Sequence, residues 1–220
     1  ISSVQYGQYA FLGNLIVDHT YRGRGIGSRL MQHAIGYLCT RRVRTIELDG
    51  VLAAVSMYRR LGFRDKHLSL RLSREPHDAI GVHINSSTPV ASIPAFDRTA
   101  TGLVRQRLLR AALSDKSNCL HHRGNPISAY ALVRERAGGF FMIAPLVASH
   151  WRHVPPLVEQ IVQCHGHRPL WIGVPEPHYQ MSQLLTAFGF CYTEPSLRMY
   201  YGRRIDYEKN VYGIFGPAVG

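Results

Sequence analysis

The chain has no run approaching about 18 apolar residues, so it offers no membrane span. It opens without the basic-then-apolar pattern of a secretory leader. Cysteine is scarce: Cys39, Cys119, Cys164 and Cys191 stand far apart and form no Cys-x-x-Cys pair. That excludes a zinc ribbon or thioredoxin-like motif and suggests buried free thiols in a reducing, cytoplasmic compartment. The 12 histidines include no His-Glu-x-x-His. The tightest groups, His150-Trp151-Arg152-His153 and His165-Gly166-His167, lack a Glu or Cys at ligand spacing, so no metal is expected. Lysine occurs only at Lys66, Lys116 and Lys209, and the 14 acidic residues face 26 basic ones, a net charge of +12. The excess is spread rather than held in a tail. Residues 1–93 carry 12 basic and 6 acidic groups, and residues 94–220 carry 14 and 8. A basic surface attracts anionic ligands generally and does not choose among them.

What is present is a globular composition, 45% hydrophobic and 18% charged over 220 residues, enough for one large or two small domains. The most informative stretch is Val17-Asp18-His19-Thr20-Tyr21-Arg22-Gly23-Arg24-Gly25-Ile26-Gly27-Ser28-Arg29-Leu30. An apolar segment to Val17 predicts a strand. After the glycines, Ile26, Leu30, Ala34 and Leu38 share one helical face. A strand, a glycine turn and a helix N-terminus make an anion site. The first helical N–H groups have no partner in the helix, and glycine lets a ligand approach the backbone. Arg22 and Arg24 add donors matched to phosphate oxygens. The pattern predicts a pyrophosphate ligand. The glycine spacing is neither the dinucleotide fingerprint nor a P-loop.

Taken in order, the first half predicts an antiparallel strand pair over residues 1–17 turning at Gly7-Gln8, and a helix over 25–40. A strand over 45–48 is ended by Asp49-Gly50. A helix over 51–61 and strands opening at Phe63 and over 67–72 complete it. Ile46 and Leu48 face one way and Glu47 and Asp49 the other, and Glu47 is read as a surface carboxylate. Arg41, Arg42 and Arg44 are read as cations at a helix C-terminus rather than as a nucleic-acid patch. Residues 75–93, rich in Pro, Gly and Ser, predict a linker that pairs briefly around Val82. Asn85-Ser86-Ser87 fits a glycosylation sequon that a cytoplasmic chain would not use. The second half predicts a helix over 99–113 capped by Asp97, a hairpin over 128–135 and 139–145, and a helix over 150–164. A strand over 170–174, a helix over 178–188 ended by Gly189, and strands over 190–201 and 210–215 follow. Strand, helix, strand, helix, Gly-Phe, strand therefore occurs twice, an internal repeat.

The Arg22-Gly23-Arg24-Gly25-Ile26-Gly27 motif resembles the acetyl-CoA signature of the GNAT acyltransferases. Tyr58-Arg59-Arg60-Leu61-Gly62-Phe63 resembles the Tyr-x-x-x-Gly-Phe that follows it in that family. Leu48-Asp49-Gly50-Val51 in the first half agrees, as do Pro145-Leu146-Val147-Ala148, Gly189-Phe190 and Arg198-Met199-Tyr200-Tyr201-Gly202 in the second. Together they are similar to tandem-GNAT proteins whose C-terminal domain is degenerate. The resemblance implies an α+β fold of two GNAT-like domains, each a mixed, mostly antiparallel sheet flanked by helices. Its first domain (1–74) lacks its N-terminal strands and helices in this chain; either these lie upstream of Ile1 or something else is expected to cover the exposed sheet edge. A linker (75–93) and a degenerate domain (94–220) follow.

The resemblance further implies acetyl-CoA as cosubstrate and direct transfer to a primary amine in a ternary complex. The pyrophosphate would be held by Arg22, Gly23, Arg24, Gly25, Ile26, Gly27 and Ser28, and the pantetheine arm by the main chain of Ile16 and Val17. Tyr58 is carried over as general acid. By sequence position, and not by the resemblance, Asp49 and Glu47 are the nearest candidate bases, with Asp49 preferred because Glu47 reads as a surface carboxylate. The second half has Val147 to Arg152 in place of the glycine loop and Leu185 in place of Tyr58, so it should neither hold CoA nor supply the acid. Candidates to line an acceptor pocket are His121, His122, Trp151 and Tyr179. The acceptor, a small amine or a peptide or protein amine, is open, as is homo-oligomerisation. No membrane partner is expected. Two other readings are a non-catalytic acyl-CoA-responsive protein and, less favoured, a basic nucleic-acid-binding protein.

Overall fold

The computed structural model describes residues 1–77, 90–216 and 219. It divides into two units. The first is Ile1–Ser69, Pro195–Asp206 and Gly216–Gly220; the second is Leu70–Glu194 and Tyr207–Phe215. A linear division of the sequence gives 195–206 to the second half, yet they fold with the first unit. The linker stretch, with Val82 and Asn85-Ser86-Ser87, lies largely outside the described residues.

In the first unit β1 (Ser2–Tyr6) and β2 (Tyr9–Gly13) form a hairpin around Gly7, whose φ of +67° suits a tight turn. α1 (Ile26–Thr40) leads to β3 (Thr45–Val51), which runs parallel to β2 from Tyr9↔Thr45 to Leu12↔Leu48. β3 continues through Asp49-Gly50, where the sequence predicted its end. A short 3-10 turn and α2 (Val55–Arg60) follow, then β4 (Arg64–Arg74), one strand where two were predicted. The strand β9 (Cys191–Gly202) lies antiparallel to β3 from Thr45↔Gly202 to Val51↔Ser196. Strand order is β1-β2-β3-β9-β4. One face packs Ala10, Leu12, Ile46, Leu48 and Met199 against Met31, Ile35 and Leu38 of α1 and Val55, Tyr58 and Phe63.

The second unit opens with α3 (Ile93–Thr101) and α4 (Gln106–Ser114). One helix was predicted here, but Gly102 takes φ +72° and ends α3. Asp97 is therefore not a cap. It lies buried inside α3, held bidentately by Arg105 (2.8 and 2.9 Å) and by the Tyr130 hydroxyl (2.6 Å). β5 (Asn118–Arg123), absent from the sequence reading, pairs with β6 (Ala129–Arg136), which pairs with β7 (Phe140–Ala148). α5 (Val154–His165), β8 (Leu170–Pro175) and α6 (Tyr179–Ala187) complete the layer. β8 is parallel to β7 from Phe141↔Leu170 to Ile143↔Ile172.

The repeat extends to individual hydrogen bonds. After α2, Phe63 N–H donates to Tyr58 C=O (3.1 Å) and Gly62 N–H to Arg59 C=O (3.0 Å). After α6, Phe190 N–H donates to Leu185 C=O (3.0 Å) and Gly189 N–H to Thr186 C=O (2.9 Å). Both are Schellman turns, and Gly62 and Gly189 take φ of +90° and +83°. Cys39 and Cys191 are exposed, contrary to expectation; Cys164 is buried and Cys119 half-buried, and all four are free. No described helix is long and apolar enough to cross a membrane.

Candidate active site

The predicted strand to Val17 stops early. Asn14 adopts φ +51°, and residues 14–17 lie beyond the last pair of either ladder. β2 and β3, paired to Leu12↔Leu48, therefore part company at this end, and Ile16 is 75% exposed. Asp18 then caps a 3-10 turn, His19–Tyr21, by accepting from Thr20 Oγ1 (2.6 Å) and Thr20 N–H (2.9 Å). Those two bonds hold the Asp18 carboxyl below its ordinary pKa. Arg22 Nε donates to Val17 C=O (2.9 Å), which ties the loop to the strand end, and Arg24 stacks over Tyr21 at 5.5 Å.

Gly23 and Gly25 take φ of +77° and +73°, and a Cβ on either would meet nothing within 4 Å. Their bareness is a backbone requirement bordering open space. Gly25 is the N-cap of α1 and supplies no side-chain cap, and the first turn carries no acid. Among the described residues the leading N–H groups of this 15-residue helix, at Ile26, Gly27 and Ser28, thus have no side-chain cap. Gly27 is different. A Cβ there would make ordinary contacts at 3.8 Å with Met57 Sδ and Val17 Cγ2.

Tyr58 is 7% exposed and packs edge-on against Phe63, centroids 6.1 Å apart. Its ring rests on β3 at Gly50, where a Cβ would fall 2.9 Å from Tyr58 Cε2. Burial raises the pKa of its phenol. Asp49 is not open to a substrate amine. Arg198 holds it with Nε to Oδ1 and Nη2 to Oδ2, both 2.9 Å, and Ser69 Oγ donates to Oδ1 at 2.7 Å. Glu47 is no surface carboxylate: its side chain is fully buried, paired with Lys66 (2.7 Å) and Arg198 (3.4 Å), and it accepts from the Tyr9 hydroxyl (3.1 Å). The Arg198 guanidinium also lies 4.8 Å over Phe11. The alternation of β3 was read correctly, but its polar face meets cations instead of water. Sequence reasoning missed Lys66 and gave Gly50 and Arg198, though both lie in stretches that resemble the family, no part in the site. For Arg198 the signal lay in the alternation Arg198-Met199-Tyr200-Tyr201, which sets an arginine on the face opposite buried Met199.

The corresponding place in the second unit is closed. β7 and β8 also part after Ile143↔Ile172, but β10 (Val211–Gly213) fills the gap. It pairs with β7 at Val147 and Leu146, and Ile214 N–H donates to Gly173 C=O of β8 (2.9 Å). A Cβ on Gly173 would lie 2.7 Å from Ile214, and one on Gly213 would lie 3.0 Å from Leu146. α5 begins with Pro155 and Pro156 in its first turn, which removes two of the N–H donors an anion would need. Among the suggested pocket residues, His121 is buried and hydrogen-bonded to His165 (2.8 Å). Trp151 packs against Tyr212, and Tyr179 is exposed. Among the described residues no group of three His, Cys, Asp or Glu is placed to hold a metal ion.

This is a two-fold use of one mixed-sheet α+β layer, open in one unit and filled in the other. The acetyltransferase (GNAT) domain profile matches residues 93–213 and the acetyltransferase (GNAT) family profile matches residues 1–63. The chain belongs to the GNAT acetyltransferase family. An uncharacterised N-acetyltransferase of Methanocaldococcus jannaschii is 39% identical over 71 residues, 31% of this chain and 31% of that relative. A crystal structure of a candidate acetyltransferase from Pyrococcus horikoshii superposes with a TM-score of 0.82 at 25% identity, covering 99% of this chain and 74% of the other. A tandem GNAT protein from the clavulanic acid biosynthesis pathway shares the fold (TM-score 0.56, 15% identity, 91% and 77% covered).

Proposed function

We propose that this chain carries the acetyl-CoA half of a cytoplasmic N-acetyltransferase that acetylates a primary amine by direct transfer in a ternary complex. The observation that carries the proposal is the opening at Gly23 and Gly25, where positive φ, empty space and the free N–H groups of α1 coincide. A pyrophosphate fits those donors, with Arg22 and Arg24 at its flank. The main chain of Ile16 and the N–H of Val17, past the end of the ladder, offer strand-like partners to the amides of the pantetheine arm, while Val17 C=O accepts from Arg22. Bound acetyl-CoA would supply the activated acetyl group. The chain's own part is to bind and orient it and to hold one proton on Tyr58 for the departing sulfur. A phenol whose pKa is raised by burial keeps that proton at neutral pH.

Asp49, fully engaged by Arg198 and Ser69, is assigned here to holding β3, β4 and β9 in register instead of to proton abstraction. The amine then reaches the site with its lone pair freed through water. The acceptor is a small amine or a peptide or protein amine. The test is the melting temperature of the protein with saturating acetyl-CoA, beside Arg22→Glu. At about a hundred times its Kd the ligand adds about 2.7 kcal/mol of stability. A shift in the wild type that the variant loses supports the reading; no shift in the wild type overturns it.

A further inference from the structure

The first unit gathers exposed arginines from three distant parts of the sequence at the end of its sheet opposite the glycine loop. Arg41, Arg42 and Arg44 join α1 to β3, Arg64 opens β4, and Arg203 follows β9. Hydrogen bonds to backbone carbonyls hold these segments side by side. Arg203 N–H donates to Arg44 C=O (2.9 Å), Thr45 Oγ1 donates to Arg203 C=O (2.7 Å), and Arg64 Nη2 donates to Gly202 C=O (3.1 Å). None of the five makes an ion pair among the described residues; Asp65 and Asp206 pair instead with Arg59 and Arg204.

The helix-end role expected for this run does not account for it. Arg41 turns its guanidinium to Gln5 Oε1 (3.0 Å) and over the ring of Tyr37 (5.6 Å), which is 51% exposed. Arg42 sits at φ +60°, a conformation that glycine or asparagine adopts more readily. Arg64 lies over Tyr200 at 5.1 Å.

We infer that this face binds the backbone of a single-stranded nucleic acid. Like charges set together without acids repel one another, and a polyanion relieves that repulsion. The patch is all arginine, and the planar guanidinium fork matches phosphate oxygens as an ammonium does not. Tyr37 beside Arg41 offers a face on which a base can stack. The fork suits the carboxylates of an acidic protein segment as well, but such a segment has no base to stack on the ring of Tyr37.

The experiment is fluorescence anisotropy of a labelled oligouridylate of about 20 nucleotides titrated with the full chain at rising salt. Three variants are compared: Arg41→Gln/Arg42→Gln/Arg203→Gln, the single Arg42→Asn, which suits the local φ, and the control Arg107→Gln/Arg110→Gln on exposed α4 positions. The triple variant should lose about tenfold or more in affinity at roughly 0.1 M salt, and its log K against log salt should flatten by about 2. Arg42→Asn, which keeps the fold if the triple variant does not, should lose about threefold, and the control should stay within about twofold. Undiminished binding by the folded triple variant or by Arg42→Asn would overturn the inference. So would no binding by the wild type at about 50 mM salt. Competition by polyglutamate as strong as by unlabelled RNA would also overturn it and point to an acidic protein partner.

Discussion

The two units share a strand–helix–strand–helix order and matching Schellman turns, yet only one keeps its sheet open. In the first, β2 leaves β3 after Leu12 and the chain enters α1 through two left-handed glycines. In the second, β10 fills the same parting and two prolines begin α5. Where the first has Tyr58 at the turn before Gly-Phe, the second has Leu185, fully buried in an apolar core. The difference separates what holds the fold from what the proposed chemistry would need. The helix ends and hydrophobic layers are common to both, while the donors, the gap and the phenol belong to one.

The sharpest way to break the comparison is at the phenol. Tyr58→Phe should lower kcat about 10² to 10⁴-fold, measured as CoA thiol release with an amine acceptor, while the thermal shift by acetyl-CoA persists. An unchanged kcat would place the acid elsewhere. Next in size is the buried cluster. Arg198→Ala leaves Asp49 and Glu47 charged without their shared partner inside the fold and should cost about 3–5 kcal/mol in denaturant unfolding. A loss under about 1 kcal/mol, the size of an exposed pair, would mean water reaches the cluster.

Gly50→Ala probes the seat of the phenol. Its Cβ would press on Tyr58 Cε2, so the ring must move, and overpacking of this kind costs about 1–3 kcal/mol. The expected sign of a positioning role is a fall in kcat with KM for acetyl-CoA unchanged. A further expectation is a pH dependence that arises in the second unit. Burial, with the neighbouring His165 and His122, lowers the His121 pKa to about 4. The unfolded chain then binds a proton that the native state refuses. Stability is complete above the unfolded value near 6.5 and falls as pH drops from there toward about 4. His121→Gln should flatten that part of the melting-temperature profile; an identical profile would assign the dependence to other groups.

Much of the candidate site was legible because its signals are local. Arg22 to Gly27 lie within one short stretch and Tyr58 to Phe63 within another, so each could carry a resemblance to the GNAT family, which is what implied their roles. What failed was long-range. Glu47 and Asp49 alternate with Ile46 and Leu48 as a solvent face would, and nothing near them in sequence announces Arg198, about 150 residues away, as their partner. β5, with Cys119 and His121 turned inward among polar neighbours, lacks the apolar alternation that marks a half-buried strand. The predicted helix over 99–113 failed because Gly102 reads as tolerated within a helical pattern until its positive φ is seen.

The central claim is that one unit binds acetyl-CoA and the other has closed its site. Isothermal titration of the protein with acetyl-CoA, beside Gly25→Val, tests it most directly. The account predicts one molecule bound per chain and none by the variant, whose β-branched residue does not suit the φ of +73° at Gly25 and so breaks the turn that presents the α1 N–H groups. Two molecules per chain, or one bound undiminished by Gly25→Val, would contradict it.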